Sequence, residues 1–351
     1  MDKNLIVHVV GARPNFIKLS AVYTALKRFF NQLIVHTGQH YDYELSRVFF
    51  KELNIPEPNY DLNVGSGPHG YQTGEILKRV EEVLLKEKPR MVMVYGDTNS
   101  TLAGALASVK LGIRVAHVEA GVRSYEKHMA EEINRVIVDR ISDLLFAPTE
   151  RAVKNLRKEG IVEGVYFTGD VMLDLFLSFR NRFNVRDEDF ILVTVHRAEN
   201  TDDPKRLKTI LEALAESGEE VVFPMHPRTR KRAMEYGFEQ FLKAENIKVT
   251  KPMGYLEFLD AMSRARIVAT DSGGVQKEAY FMGKPCVTLR ESTEWVETVE
   301  SGWNVLVGVD KERILNTLKE FKPRGKPDLS LFGDGGASRR IASILSERLN
   351  G

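Results

Sequence analysis

Short β-rich runs alternate with helical patterns almost from one end of this chain to the other, and few architectures can absorb that alternation. LIVHVV (5–10) precedes a helical pattern near 17–30, QLIVHT (32–37) one near 42–52, and MVMVYGD (91–97) the stretch TLAGALASVKLG. RVAHVEA (114–120) is followed by helical EEINRVIVDRIS, and LLFAPT (144–149) by RAVKNLRKEG. The strands are near-continuous apolar runs, as strands are when helices cover both faces. The pattern then restarts with ILVTVH (191–196), VVFPMH (221–226), IKVT (247–250), RIVATD (266–271), CVTL (286–289) and NVLVG (304–308). Two runs of parallel strands give the expected fold class: α/β, with two doubly wound Rossmann-like domains. The join is expected near VYFTGDVMLDLF (165–176), where a strand ends at Gly169, making 1–168 the first domain. No Pro/Ser-rich linker separates the halves, so they are expected to face each other across a cleft.

The length of 351 residues agrees, being too great for one ordinary core. With 50 basic and 49 acidic side chains the net charge is +1. That gives no general attraction for nucleic acid or a membrane surface, so any affinity for an anion must be local. No run approaches the ~20 apolar residues of a membrane span, and LIVHVV is too short for a signal-peptide core. The single cysteine, Cys286, rules out an internal disulfide and reads as a small buried hydrophobe. The expectation is a cytoplasmic protein with neither nucleic acid nor membrane as partner.

In doubly wound sheets, ligands bind beyond the carboxyl ends of the strands. The residues placed there are Gly11-Ala12-Arg13, Gly96-Asp97-Thr98 and Glu119-Ala120-Gly121 in the first half, and His196-Arg197, His226-Pro227-Arg228 and Asp271-Ser272-Gly273-Gly274 in the second. A Ser-Gly-Gly turn entering a helix offers unpaired N–H groups and the positive end of the helix dipole to an anion. It reads equally as a tight turn with a serine N-cap. Glu278, about one helical turn further on, is placed to accept hydrogen bonds from a ribose, or is an ordinary helix residue. Arg13 and Lys18 flank Pro14, which is well placed to open a helix. Cations in a first turn oppose the helix dipole, which favours a functional reason for them. Asp97 is a candidate N-cap for the helix after it, whereas Glu119 before Ala-Gly has no such role. Of Glu131 and Glu132, one is expected to pair with Arg135. Carboxylates gathered at strand ends suit proton transfer or a metal.

None of the eight histidines falls in an HExxH or facial-triad pattern. There is no GxGxxG after the first strand and no Walker A loop. No metal and no nicotinamide cofactor is therefore expected.

GARPNFIK, TGQH, YGDTNSTLAG, HVEAGVRS, EEINR, TGD, HRAEN, DSGGVQKEA, MGKP and GDGGASRRI together, from residue 11 to about 341, resemble the non-hydrolysing UDP-N-acetylglucosamine 2-epimerases. The resemblance implies a B-type glycosyltransferase fold, with a second domain 169–332 and a C-terminal helix, 333–351, packing back on the first domain. It implies a homodimer that interconverts UDP-GlcNAc and UDP-ManNAc by eliminating UDP to a 2-acetamidoglucal and adding it back. Carried over by motif, Arg13 and Lys18 approach the diphosphate, Asp97, Glu119 and Glu131 are the acid–base carboxylates, and His196 joins them from the other domain. Ser272, Gly273 and Gly274 hold the diphosphate, Glu278 the ribose, and Phe258 and Met253 flank the uracil. A hinge near Gly169 and Asp170 would allow closure. Many members read TERPE where this chain has Thr293-Glu294-Trp295-Val296-Glu297, so Trp295 replaces an arginine and Arg290 becomes the candidate for its charge. Met129-Ala130 stands where a proline is frequent. Gln39 and His40 match part of a regulatory substrate site. The alternatives are an epimerase of a modified UDP-sugar such as a diacetamido uronic acid, a nucleotide-sugar glycosyltransferase of the same fold, or a regulatory protein that binds the sugar nucleotide without turnover.

Overall fold

The computed structural model describes residues 4–39 and 49–350. Two compact units result, Met1–Ser178 with Ser330–Gly351, and Phe179–Leu329. In the first, strands β1 (Leu5–Val10), β2 (Asn31–His36), β3 (Tyr60–Asp61), β4 (Met91–Tyr95), β5 (Arg114–Val118), β6 (Leu144–Ala147) and β7 (Val165–Phe167) form one parallel sheet in the order β3-β2-β1-β4-β5-β6-β7. In the second, β8 (Glu188–Thr194), β9 (Glu220–Pro224), β10 (Ile247–Thr250), β11 (Ala265–Thr270), β12 (Cys286–Thr288) and β13 (Asn304–Leu306) run β10-β9-β8-β11-β12-β13. Each sheet reverses its winding once, between β1 and β4 and between β8 and β11. Those switch points are where a doubly wound sheet opens a crevice.

The apolar runs form the cores. Val7, Val9, Val92, Val94 and Val115 pack against Ile76, Val80, Ala103 and Ala107 in the first unit. Ile191, Val193, Phe223 and Ile267 pack against Leu207, Ile210 and Leu214 in the second. The edge strand Tyr60–Asp61 has only the pairs Val35↔Tyr60 and His36↔Asp61, too short for its own periodicity in the sequence. Residues 49–52 are helical, while the rest of the helix expected near 42–52, and His40, lie outside the described residues. Among the described residues no helix is long and apolar enough to cross a membrane.

The division between units falls after Ser178 and before Ser330, not at 168/169 and 332/333. Asp174 explains the shift. Its carboxylate accepts the Ala337 and Ser338 backbone N–H groups (3.0 and 2.7 Å) and the Ser338 hydroxyl (2.6 Å). It thereby satisfies donors at the start of the Ala337–Asn350 helix. The Val171–Phe179 helix is thus tied to the first unit, and Gly169-Asp170, the expected hinge, lies inside it, with Asp170 donating its N–H to Phe332 O (2.8 Å).

His8, at the centre of β1, is fully buried between the Tyr95 hydroxyl (2.7 Å from Nδ1) and Gln32 Oε1 (2.9 Å from Nε2). Burial pushes its pKa down from 6.5 to about 4, against a smaller upward pull from Gln32. The unfolded chain binds a proton that the folded one refuses. This contribution to stability is therefore complete above pH 6.5 and is lost as the pH falls towards about 4, reaching about 3 kcal/mol. H8Q is expected to flatten the acid limb of a plot of denaturation midpoint against pH. Parallel acid limbs in the two proteins would exclude His8 as the group responsible.

Candidate active site

In the first unit, side chains lace the ends of β1, β4 and β5 together. Asn15 Oδ1 accepts the N–H groups of Gly11 and Ala12 (3.2 and 3.1 Å), while its Nδ2 donates to Tyr95 O (2.8 Å). The Arg13–Leu26 helix starts there with Pro14 in its first turn. Lys18 is buried in that helix and donates to Glu119 Oε1 at 2.6 Å. Gly96, just after β4, has φ +66, a left-handed conformation that favours glycine, and a Cβ on it would lie 2.7 Å from Lys18 Nζ, so the lysine would have to move aside. Glu119 also sits at positive φ (+75), which is uncommon outside glycine and marks a strained site. Its loop is over-determined: the N–H groups of Glu119 and Ala120 both donate to Phe146 O (3.1 Å each), and that of Gly121 donates to Asp139 Oδ2 (2.9 Å).

Asp97 follows Gly96 but does not cap the next helix. Thr98 does, accepting the Thr101 N–H at 3.3 Å, because the Asp97 carboxylate is drawn instead to the Arg135 guanidinium. Arg135 also donates to Glu132 Oε2 (2.9 Å). Glu132 is thus the structural member of the glutamate pair; it further accepts the Ser124 and Tyr125 N–H groups (2.9 Å each). Glu131, half-buried in the first turn of the Ala130–Ile141 helix, makes no hydrogen bond or ion pair among the described residues. Lys18, Glu119 and Asp97 therefore belong to one sheet edge, and Glu131 lies in the first turn of the helix that reaches Asp97 through Arg135. Arg13 does not join Lys18: it is exposed, with its guanidinium 4.7 Å above the Phe49 ring. Gln39 Oε1 accepts the Ser100 N–H (3.0 Å), and the Gln39 carbonyl accepts from Gln72 Nε2 (3.0 Å).

In the second unit, fully buried Asp271 ends β11 and grips the neighbouring loop. It accepts the N–H groups of His196 and Arg197 (3.0 Å each to Oδ2) and Asn200 Nδ2 (3.2 Å). The HRAEN and DSGG motifs are thereby one structure. The His196 ring is partly exposed, 5.7 Å from that of His226. Ser272 is the N-cap of the Gly273–Met282 helix, yet its hydroxyl makes no capping bond. Gly273 is required by close packing, since a Cβ there would lie 2.2 Å from Glu294 Oε1. Glu294 also accepts from Arg290 (2.8 Å) and Arg197 (3.3 Å). Arg290 is buried and faces Glu199 as well (3.3 Å), so its charge is already met by two carboxylates. Trp295 is buried with Lys277 Nζ 3.7 Å from its ring centre, a cation–π contact. Glu278 is buried one turn into the helix. Phe258 is buried in the Tyr255–Arg264 helix, which packs against Gly273–Met282, and Met253 is half-buried just before it.

Sequence reading gave no role to Asn15, His117, Asp139 or Asp271. Asp271 was in plain view as the start of DSGG. The signal for Asp139 was the spacing of Glu132, Arg135 and Asp139 along one helix face. Cys286 is buried, its thiol pushed up to about 12 by desolvation, and is inert. Among the described residues no group of three His, Cys, Asp or Glu side chains is arranged to hold a metal ion.

A family model described as UDP-N-acetylglucosamine 2-epimerase matches residues 24–346. A Methanococcus maripaludis protein named as a UDP-N-acetylglucosamine 2-epimerase homolog is 53% identical over 352 residues, covering 97% of this chain and 99% of that one. A Pseudomonas aeruginosa UDP-2,3-diacetamido-2,3-dideoxy-D-glucuronate 2-epimerase is 48% identical over 356 residues, covering 97% and 99%. The crystal structure of Methanocaldococcus jannaschii UDP-GlcNAc 2-epimerase in complex with UDP-GlcNAc and UDP superposes with a TM-score of 0.91 at 46% identity, covering 98% of this chain and 99% of that one.

The Ser-Gly-Gly turn yields a contrast. G273A must displace the Glu294 carboxylate and is expected to cost about 1–3 kcal/mol, the usual range for overpacking. S272A removes a hydroxyl without a capping bond and is expected to stay within about 0.5 kcal/mol. Denaturant titration of both variants measures this. A loss of about 1 kcal/mol in S272A would identify Ser272 as an ordinary cap.

Proposed function

The chain belongs to the UDP-N-acetylglucosamine 2-epimerase family and has its two-domain B-type glycosyltransferase fold, and from that premise we propose that it epimerises a UDP-N-acetylhexosamine at C2, interconverting UDP-GlcNAc and UDP-ManNAc. The observation that carries the reading is a pair of carboxylates just after neighbouring strands, Asp97 after β4 held by Arg135 and Glu119 after β5 held by Lys18, with Glu131 in the first turn of the helix that carries Arg135.

C2 of an N-acetylhexosamine carries a proton that is not acidic, because no carbonyl adjoins it. Breaking the anomeric C1–O bond changes that. The bonding pair leaves with UDP, a carboxylate takes the C2 proton, and a C1=C2 double bond forms. For the return, a UDP oxygen bonds C1 while a second acid delivers a proton to the opposite face of C2. Two titratable groups are needed, one to take the proton from one face of C2 and one to deliver a proton to the other, and carboxylates can fill both roles. Asp97, Glu119 and Glu131 take these roles, with His196 as a further acid–base group. Charge developing on the departing diphosphate is met by the start of the Gly273–Met282 helix with Ser272, Gly273 and Gly274, and by Arg13, while Glu278 binds the ribose and Met253 and Phe258 border the uracil. Lys18 and Arg290 already face carboxylates, so we assign them to holding Glu119 and Glu294. The exposed row Ile133, Val136 and Ile137 supports a homodimer, and the unpaired, buried Cys286 suits the cytoplasm. A diacetamido uronic acid sugar is the second reading, favoured by the Pseudomonas aeruginosa relative.

Incubation with UDP-GlcNAc alone in deuterium oxide is expected to give UDP-ManNAc and to place deuterium at C2 of both sugars. E119Q is expected to slow that exchange by ~10²–10⁴-fold, with D97N and E131Q made alongside, while UDP affinity changes little. Parent exchange rates in all three variants would refute the carboxylate site. Turnover of the diacetamido uronate but not UDP-GlcNAc would select the second reading.

A further inference from the structure

His117 and Asp139 are wholly buried, on β5 and on the Ala130–Ile141 helix. Both nitrogens of the His117 ring face oxygen acceptors: Nδ1 lies 2.7 Å from Asp139 Oδ1 and Nε2 lies 2.8 Å from Gly96 O. The other Asp139 oxygen accepts the Gly121 N–H (2.9 Å) and pairs with Arg123 Nη1 (2.7 Å). Burial works to raise the Asp139 pKa, but His117 and Arg123 outweigh it and hold the carboxyl below its usual range. Asp139 is thus a fixed anion with contacts on two sides. On one side it orients His117, whose second N–H grips the carbonyl of the residue just before Asp97. On the other it holds the residue two places after Glu119, in the loop where Glu119 is kept at φ +75.

We propose that Asp139 is a positioning residue for the epimerisation, which through His117 and through the Gly121 N–H sets the Gly96–Asp97 and Glu119–Gly121 loops in register so that Asp97 and Glu119 address the same carbon. A left-handed backbone at a non-glycine residue persists only when its surroundings over-determine it. The N–H groups of Glu119 and Ala120 are met by one carbonyl, the Gly121 carbonyl accepts from Asn155 Nδ2 (3.0 Å), and Asp139 ties the Gly121 N–H. The helix that carries Asp139 also carries Arg135 to Asp97 and Asn134 Nδ2 to Asp97 O (2.8 Å), so one rigid element references both carboxylates. A packed helix is a better reference than the loops themselves, whose direct backbone link is the bond from the Gly96 N–H to Val118 O (3.0 Å). Displacing reacting groups by about 1 Å costs on the order of 10²-fold in rate. That is the scale of effect open to a residue that touches no substrate.

The inference rests on the assignment of Glu119 and Asp97 as acid–base groups, and the experiment keeps the two apart. D139N preserves size and one acceptor but removes the charge facing His117 and Arg123. It is expected to lower kcat and C2 deuterium exchange together by about 10- to 10²-fold, with KM and the calorimetric Kd for UDP within about threefold of the parent. Two His117 variants separate the arms. H117Q places an amide N–H near the position of Nε2 and retains a donor for Gly96 O, whereas H117N places one near Nδ1 and retains only the Asp139 contact. H117Q is expected to recover more exchange than H117N at similar melting temperatures, and this comparison decides the matter should D139N fail to fold. Parent kcat in D139N, or losses of UDP affinity matching the losses of kcat, would overturn the positioning role. Equal activity in H117Q and H117N would do the same for the Gly96 arm. If E119Q is inactive while D139N is unaffected, only this inference falls; if E119Q exchanges at the parent rate, the acid–base assignment falls and takes the inference with it.

Discussion

A charge taken out of water must be paired where it lands, and in the first unit this requirement organises everything at the sheet's carboxyl edge. The Ala130–Ile141 helix buries charged and polar side chains beside Val138, which sits in the core. Glu132, Asn134, Arg135 and Asp139 are buried, while Ile133, Val136 and Ile137 are exposed. The buried charges find partners on two neighbouring strands and the segments after them: Arg135 on Asp97 after β4, Glu132 on the Ser124–Tyr125 backbone after β5, and Asp139 on His117 in β5 and on Gly121 after it. Lys18 and Glu119 complete the set between the first helix and β5. Breaking one partner of such a network strands the other in a low-dielectric interior, so the loops cannot drift independently.

The second unit solves the same problem with backbone instead of opposite charge. Asp271 collects two backbone N–H groups and an amide, and in doing so joins the loop after β8 to the helix after β11 at the sheet's switch point. The neighbouring Glu294 is spread over Arg197 and Arg290 and lies against Gly273. Glycine at that position is thus explained by a protein carboxylate as much as by any ligand. Trp295 is also accounted for locally. Lys277 lies over its ring, so a cation remains next to the turn although it enters from the helix and not from the TEWVE segment.

The two arrangements suit different chemistry. The first unit holds carboxylates in defined and partly strained geometry, which suits moving a proton. The second holds a helix start with flanking small residues and cations, which suits a departing anion.

The alternation of apolar runs with helical stretches was enough to specify two doubly wound parallel sheets, because strands buried on both faces leave a pattern that needs no tertiary knowledge. The motifs at the strand ends likewise placed Asp97, Glu119, His196 and the Ser-Gly-Gly turn, since topology puts strand ends at crevices. Other features were invisible from the chain. The edge strand Tyr60–Asp61 exists only through its pairing with β2. The unit boundary moved to Ser178 because Asp174 meets the start of a helix far along the sequence, at Ala337. Asp97 looked like a helix cap, and only Arg135, brought over it by helix packing, decided otherwise. Local propensity and periodicity act within a few residues and are written in the sequence. Which buried charge meets which partner is decided by contacts between residues such as Lys18 and Glu119, far apart along the chain, and those exist only once the sheet has assembled.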